Sequence, residues 1–322
     1  MIATIYNLMI NSKLVNSVLC LFIALCIPLL FFGSQLLSHF RLLPYLWNYG
    51  HIALFAAIFW LIFSKSDIFA ERSIYWTLTT TILPIILVSV AIEIIQSINS
   101  REFSFLDIIR NCLGATIAIA FHSNSFSDNR TFSRSGLKHS VVGVLIVFTY
   151  PLMINTTDTF NAYRSFPVLS DFESPFELTR WSGNQLIVVD LEANYNHVMG
   201  NTFTTDEYSN LTFESFPNNW MGFSEISFRI LNEDTANHIL TLRIHDQHHR
   251  ASNWGYHDRY NQNIKLIPGW NKISIDLKTV RMQPSNRNID MSKIEKVIIF
   301  SHYLPVNTRL YFDDFRLENS EQ

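Results

Sequence analysis

Residues 74–122 read IYWTLTTTILPIILVSVAIEIIQSINSREFSFLDIIRNCLGATIAIAFH. The stretch holds two apolar runs, Ile74–Ile98 and Ser104–His122. Each approaches or exceeds the roughly 20 residues that carry a helix across the hydrocarbon core of a bilayer. Polar side chains gather at the join. Glu93 and Gln96 stand three apart late in the first run, Arg101 lies in the short connection, and Asp107 and Asn111 stand four apart early in the second. Spacings of three and four place side chains on one helix face. Gly114 and Ala118 continue the second stripe, so the two helices can approach closely below the polar groups. A charge at the bilayer centre costs at least about 3 kcal/mol, so these groups face a bundle interior or a wet cavity.

Three further runs of this kind flank the pair: Leu14–Gly33, Pro44–Phe63 and His139–Ile154, the last short and containing Pro151. No small-residue cleavage site follows the first, and more apolar runs come directly after it, so it reads as a retained helix rather than a signal peptide. His51 heads the second run. With five alternating helices it falls at the depth of Glu93, Gln96, Arg101, Asp107 and Asn111.

The whole chain has 322 residues, 48% hydrophobic and 16% charged, with mean hydropathy +0.14. An average soluble domain is about 25% charged. Residues 1–155 carry nine lysines and arginines against six acids, and residues 156–322 carry 15 against 21. The chain therefore divides into a membrane half (1–155), a polar linker (156–167) and an acidic soluble half (168–318). The net charge of −3 is not that of a polycation built for nucleic acid. Lys13, Lys65, Arg72, Arg130, Arg134 and Lys138 fall on one side of the spans, and Arg41 and Arg101 on the other. Positive loops stay cytoplasmic. The expected topology is a multi-pass protein of the cytoplasmic membrane in contact with membrane lipids, its N terminus inside and its C-terminal half outside. All three cysteines, Cys20, Cys26 and Cys112, fall in the spans, where they read as small packing residues.

The order Glu93-x-x-Gln96, Arg101, Ser104-x-x-Asp107-x-x-x-Asn111-x-x-Gly114, preceded by His51, resembles the VanZ-like family of bacterial membrane proteins over roughly residues 10–155. Arg110 inside the motif departs from the pattern, and Ser97–Ser100 replaces the usual proline-rich approach to the arginine. The resemblance implies an envelope role. The residues themselves support two readings. In one, the cluster ties three helices in register, with Ser104 or Asp107 capping the fourth helix. In the other, His51, Glu93 and Asp107 supply acid and base groups and Arg101 grips an anion. No nucleophile with an adjacent base stands out.

Period-two alternation marks the soluble half. Ile226, Phe228 and Ile230 alternate with polar residues, as do Leu240, Leu242 and Ile244, then Ile273, Ile275 and Leu277, then Leu310 and Phe312. These are half-buried antiparallel strands separated by turn signals such as Pro268-Gly269. Only Asp290–Glu295 reads as a helical turn. The predicted fold is an α-helical transmembrane bundle followed by an all-β jelly-roll sandwich.

The run of Asp171-Phe-Glu173, Trp181, Trp220, Arg243-Ile-His-Asp246, Tyr256-x-Asp258-Arg259-Tyr-Asn261, Pro268-Gly-Trp-Asn271 and the closing segment Leu310–Leu317 resembles jelly-roll carbohydrate-binding modules of galactose-binding-like fold. The resemblance implies an envelope polysaccharide or glycolipid as partner. The candidate ligand-binding residues are Arg243, His245, His248, His249, Trp254 and Tyr256. A metal held by Asp246, His248 and His249 has no spacing rule behind it. Trp181, Trp220 and Trp270 are candidates for stacking on sugars, with a core role the reading preferred for Trp220 and Trp270.

The same resemblance implies a structural Ca²⁺ between the first and last strands, with Asp171, Glu173, Asp313 and Asp314 as hard oxygen ligands. Neighbouring strand residues face opposite sides, so one of the final pair, preferably Asp313, is the ligand unless the strand bulges. Strict alternation from Leu310 and Phe312 places Asp314 with the core-facing set. Two functions follow: a membrane-anchored glycan binder, or a membrane enzyme acting on a lipid-linked or cell-wall substrate through the outer-leaflet cluster. Five helices without an inverted repeat do not suggest a transporter.

Overall fold

A computed structural model describes residues 13–28, 41–65, 72–98, 102–122, 131–192 and 196–319. The chain divides into two compact units, residues 1–153 and 154–322.

Five helices make up the described part of the first unit: α1 (Lys13–Pro28), α2 (Leu43–Lys65), α3 (Ile74–Ile98), α4 (Phe105–Phe121) and the start of α5 (Thr131–Ser165). Each falls on one of the five apolar runs. Among the described residues, three stretches are long and apolar enough to cross a membrane: Tyr45–Lys65, Ile74–Ile98 and Ser135–Ser165. In α3 the stripe Thr77, Thr81, Ile85, Ser89, Glu93 and Gln96 is buried, while Leu83, Leu87, Val88, Ile94 and Ile95 are exposed. This inverts a soluble helix, as expected where the solvent is lipid and polar groups must find partners inside. Leu54, Phe55, Ile85 and Ala115 form a core against which Cys26 and Cys112 pack, and Cys20 is exposed. Gly114 faces α2 so closely that an added Cβ would lie 2.3 Å from the Ile52 carbonyl oxygen.

The run expected at His139–Ile154 continues as helix in both directions, through Pro151 and on to Ser165. Residues 156–165, read above as linker, are therefore helical. The Thr159 hydroxyl donates to the Asn155 carbonyl at 2.6 Å, and Ala162 is buried. At 1.5 Å per residue, α5 is about 50 Å long, well beyond the roughly 30 Å hydrocarbon core.

The second unit is a β-sandwich of two antiparallel sheets. Its strands are β1 (Val168–Ser170), β2 (Trp181–Ser182), β3 (Ile187–Glu192), β4 (Asn196–Phe203), β5 (Ser209–Phe213), β6 (Glu225–Asn232), β7 (His238–Asp246), β8 (Tyr260–Leu266), β9 (Gly269–Asp276), β10 (Ile294–Ser301) and β11 (Thr308–Glu318). One sheet has the order β3-β4-β11-β6-β9 with β1 also paired to β11, and the other β2-β5-β10-β7-β8. The alternating residues Ile226, Phe228, Ile230, Leu240, Leu242, Ile244, Leu310 and Phe312 are all buried between the sheets. Trp181 lies flat on Phe213 at 4.1 Å, and Phe228 on Phe315 at 4.6 Å.

Two local readings are corrected. The residues Asp290–Lys293 form only a turn, and Ile294 already begins β10. The short helix is instead α6 (Leu277–Met282). The Asp276 side chain accepts from the Lys278 and Thr279 amides and ends β9 just where the alternation would have carried it on. In β11 the register shifts between Asp313 and Arg316, with Asp314 at φ 64°. This bulge reverses the parity. Asp313 is buried, Asp314 reaches the surface, and Phe315 and Leu317 rejoin the core.

Candidate functional site

The polar cluster of the helical unit takes its residues from α2, α3 and α4. His51 Nδ1 donates to Asn111 Oδ1 at 3.1 Å, and Asn111 Nδ2 donates to the Ser89 hydroxyl at 2.9 Å. His51 Nε2 lies 3.7 Å from Asp107 Oδ2, and Arg110 pairs with the same carboxylate one turn along α4. Ser104 caps α4 by accepting from the Asp107 amide, while the Ser104 amide donates to Glu93 Oε2 at 2.8 Å. Glu93 thus binds the entry of α4. His51, Glu93, Gln96, Asp107 and Asn111 are all buried. Arg101 lies outside the described residues.

In the sandwich, parity decides what the β2-β5-β10-β7-β8 sheet presents outward. Leu240, Leu242 and Ile244 point inward, so Thr241, Arg243 and His245 point out. The pairing register then sets Asn261, Arg243, Ile298 and Thr212 in one cross-strand row, and Asn263, Thr241, Phe300 and Asn210 in the next.

At one end of this face the loop joining β7 to β8 folds over the sheet. Arg243 Nη2 donates to His249 Nε2 at 2.9 Å. An arginine has only donors, so His249 carries its proton on Nδ1, which donates to Asp258 Oδ2 at 3.1 Å. Asp258 in turn accepts from Arg287, which also donates to the two oxygens of Asp246 at 2.6 and 2.8 Å. Burial holds the His249 imidazole below its ordinary pKa, and the Arg287 guanidinium holds the Asp258 carboxyl below the usual carboxylate range.

His245 stacks beside this relay, its ring centroid 4.7 Å from that of His249. Only 1% of it is exposed, and burial followed by the Arg243 charge brings its pKa down to about 2. Neither ring nitrogen has a hydrogen-bond partner among the described residues, and the same holds for Arg243 Nε, Arg259 Nε and Asn261 Oδ1. Glu295 Oε2 stands 3.8 Å from His245 Nε2, while its other oxygen accepts from Arg250. Trp254, 50% exposed, meets both histidine rings edge-on, and Tyr256 is exposed with the Arg259 guanidinium over its ring at 5.2 Å. The structure therefore brings Arg243, His245, His249 and Trp254 together, and Tyr256 beside them. His248 turns outward to Asp290 at 3.8 Å. Arg259 and Asn261 belong to the group although the sequence reading did not place them in it; their parity with Tyr260, which points inward, was the available signal.

Trp181 and Trp220 are core residues, and Trp270 is half-buried under Arg229. The four carboxylates considered for calcium are engaged separately. Glu173 accepts from the His197 ring and amide at 3.0 Å, and Asp171 Oδ1 accepts weakly from the Glu173 amide at 3.4 Å. Asp313 accepts from Asn196 at 3.1 Å and pairs with Arg229, while Asp314 pairs with Arg316. Among the described residues no group of three or more His, Cys, Asp or Glu side chains is arranged to hold a metal ion. The residues as placed do not fit a calcium site.

Comparison with the curated proteins finds no match. Among solved structures the sandwich is similar to a family 11 carbohydrate-binding module from Clostridium thermocellum, solved with a β-1,3-1,4-mixed-linked tetrasaccharide (16% identity, 48% of this chain and 96% of that one, TM-score 0.36). It is also similar to an exo-β-agarase (14% identity, 48% of this chain and 25% of that one, TM-score 0.38) and to a family 28 module specific for non-crystalline cellulose (10% identity, 48% and 95%, TM-score 0.34). Residues 3–126 match the family model described as VanZ/LLP1.

Proposed function

We propose that this is a membrane-anchored glycan-binding protein of the cell envelope, its sandwich lying outside the cytoplasmic membrane and engaging a polysaccharide or glycolipid. The outer face of the β2-β5-β10-β7-β8 sheet carries the reading. Its rows supply amides, hydroxyls and a guanidinium, the donors and acceptors that match sugar hydroxyls. The exposed rings of Trp254 and Tyr256 stand at its end, where a flat aromatic surface can take the apolar face of a sugar. The helical cluster supports an anchoring role, because Ser89, His51, Asn111 and Glu93 bond across three helices.

The test is a glycan array probed with the detergent-solubilised full chain. Binding to at least one polysaccharide, weakened by Trp254→Ala, is the expected result. A folded chain that binds none overturns the reading. The charge bias of the loops supports a cytoplasmic N terminus, and on that reading a tag at Gln322 should be labelled from outside intact cells; labelling only after lysis overturns that orientation.

A further inference from the structure

The sandwich half is acidic overall, yet this end of the sheet holds two arginines that pair with no carboxylate among the described residues. Arg180, Arg229, Arg250, Arg287 and Arg316 each meet an acid. Arg243 and Arg259 form no such pair among the described residues, although both are half-buried. Asp258 and Asp246 are held by Arg287, Glu295 by Arg250 through one oxygen, and Glu214 by Lys296 at 2.6 Å. Their actual partners are neutral, His249 for Arg243 and the Tyr256 ring for Arg259.

Arg243 lies on β7, and Arg259 is the extended residue just before β8. Arg243 faces Asn261 and Ile244 faces Tyr260 across the β7–β8 ladder, so Arg259 follows at the end of the same outward row as Asn261. Burial, and then the Arg259 charge, bring the Arg243 guanidinium down to about 10, and burial lowers Arg259 as well. Two half-buried like charges that feel one another cost stability rather than add to it. Beside them lies His245, almost wholly buried, with both ring nitrogens unpaired. A neutral imidazole of that kind offers a donor and an acceptor to hydroxyls flanking an anion.

Resting on the glycan-binding reading, we propose that the ligand is an acidic saccharide, whose carboxylate or sulfate group is taken by Arg243 and Arg259 while His245 and Asn261 bond the adjoining hydroxyls. Guanidinium groups suit this task because their fixed forks match planar and tetrahedral oxyanions. Trp254 and Tyr256 frame the group with aromatic surface.

The experiment measures binding of the detergent-solubilised full chain to polygalacturonate, dextran sulfate and neutral laminarin, at low and at 0.5 M salt. At least one acidic polymer should bind at least about tenfold more tightly than laminarin, with salt weakening it. Arg243→Gln and Arg259→Gln should each remove about tenfold, with Arg243→Lys recovering part of the loss. Arg309→Gln, on β11 in the other sheet, should change nothing. Polygalacturonate and dextran sulfate separate a carboxylate ligand from a sulfated one. Competition of wild-type binding by free galacturonate or by inorganic sulfate tests the anion without any variant, should the glutamine variants lose their fold. Laminarin binding equal to that of both acidic polymers and insensitive to salt overturns the inference and leaves the glycan reading standing. A folded chain that binds none of the polymers and no glycan on the array overturns both.

Discussion

Asp158, near the end of α5, and Arg180, in the turn before β2, form a buried bidentate pair within the sandwich unit. Arg180 Nε lies 2.9 Å from Asp158 Oδ2 and Nη2 lies 2.7 Å from Oδ1, while Nη1 donates to the Leu169 carbonyl at 2.5 Å. Asp158 has no exposed surface and Arg180 has 3%. Breaking such a pair on one side strands the other charge, at a cost of about 3–5 kcal/mol. Asp158→Ala should lower the stability of the sandwich by that amount in denaturant unfolding. The double variant Asp158→Leu, Arg180→Met should recover a good part of it, and equal losses in the two would show that the pair is not what holds this end of α5.

His245 sets a pH dependence. Its folded pKa is depressed to about 2, chiefly by burial, against about 6.5 in an unfolded chain. Above pH 6.5 both states are neutral and the stability is intact. Below it the unfolded chain takes up a proton that the folded chain refuses, so stability falls with pH by up to about 1.4 kcal/mol per unit. Between pH 6 and 4.5 the wild-type sandwich should lose stability more steeply than His245→Gln. Parallel slopes would show that the folded imidazole protonates freely.

Gly114 sets the approach of α2 and α4. Its missing Cβ would meet the Ile52 carbonyl at 2.3 Å and the Ala56 amide nitrogen at 3.0 Å, both backbone atoms with little freedom to move. Gly114→Ala should therefore cost about 1–3 kcal/mol, the range for overpacked sites. Thermal stability of the chain in detergent measures it. An unchanged midpoint would mean that the two helices separate without loss.

Calcium should not change the melting of the sandwich. Asp313 is buried, and burial pushes its carboxyl up against the pull of Asn196 and Arg229. A cation there would have to displace Arg229, and Glu173 is held by His197. A ligand that binds only the folded state raises stability by about 2.7 kcal/mol at a hundredfold excess over Kd. A midpoint that rises across millimolar calcium after chelation would show that these side chains rearrange around an ion. Arg229→Gln should instead destabilise the bulge of β11.

The sequence by itself determined the division between lipid and water, the five helical runs, the inward residues of most strands and the depth at which His51, Asp107 and Asn111 meet. Each depends on a repeat within one element, either a helical spacing or a strand alternation, and such repeats are legible because every residue on the buried side must match its solvent. Tertiary structure alone decided the rest. The bulge at Asp314 reset the parity of β11 and exchanged the places of Asp313 and Asp314. The capping carboxylate of Asp276 ended one strand, and Arg180 reached back to Asp158 so that a polar stretch stayed helical. Arg243 and Arg259 stand 16 positions apart in the chain and come within reach of one another's charge only because β7 pairs with β8. Local spacing specifies which face a side chain takes, whereas the partner it finds there depends on how separate strands and helices close on one another.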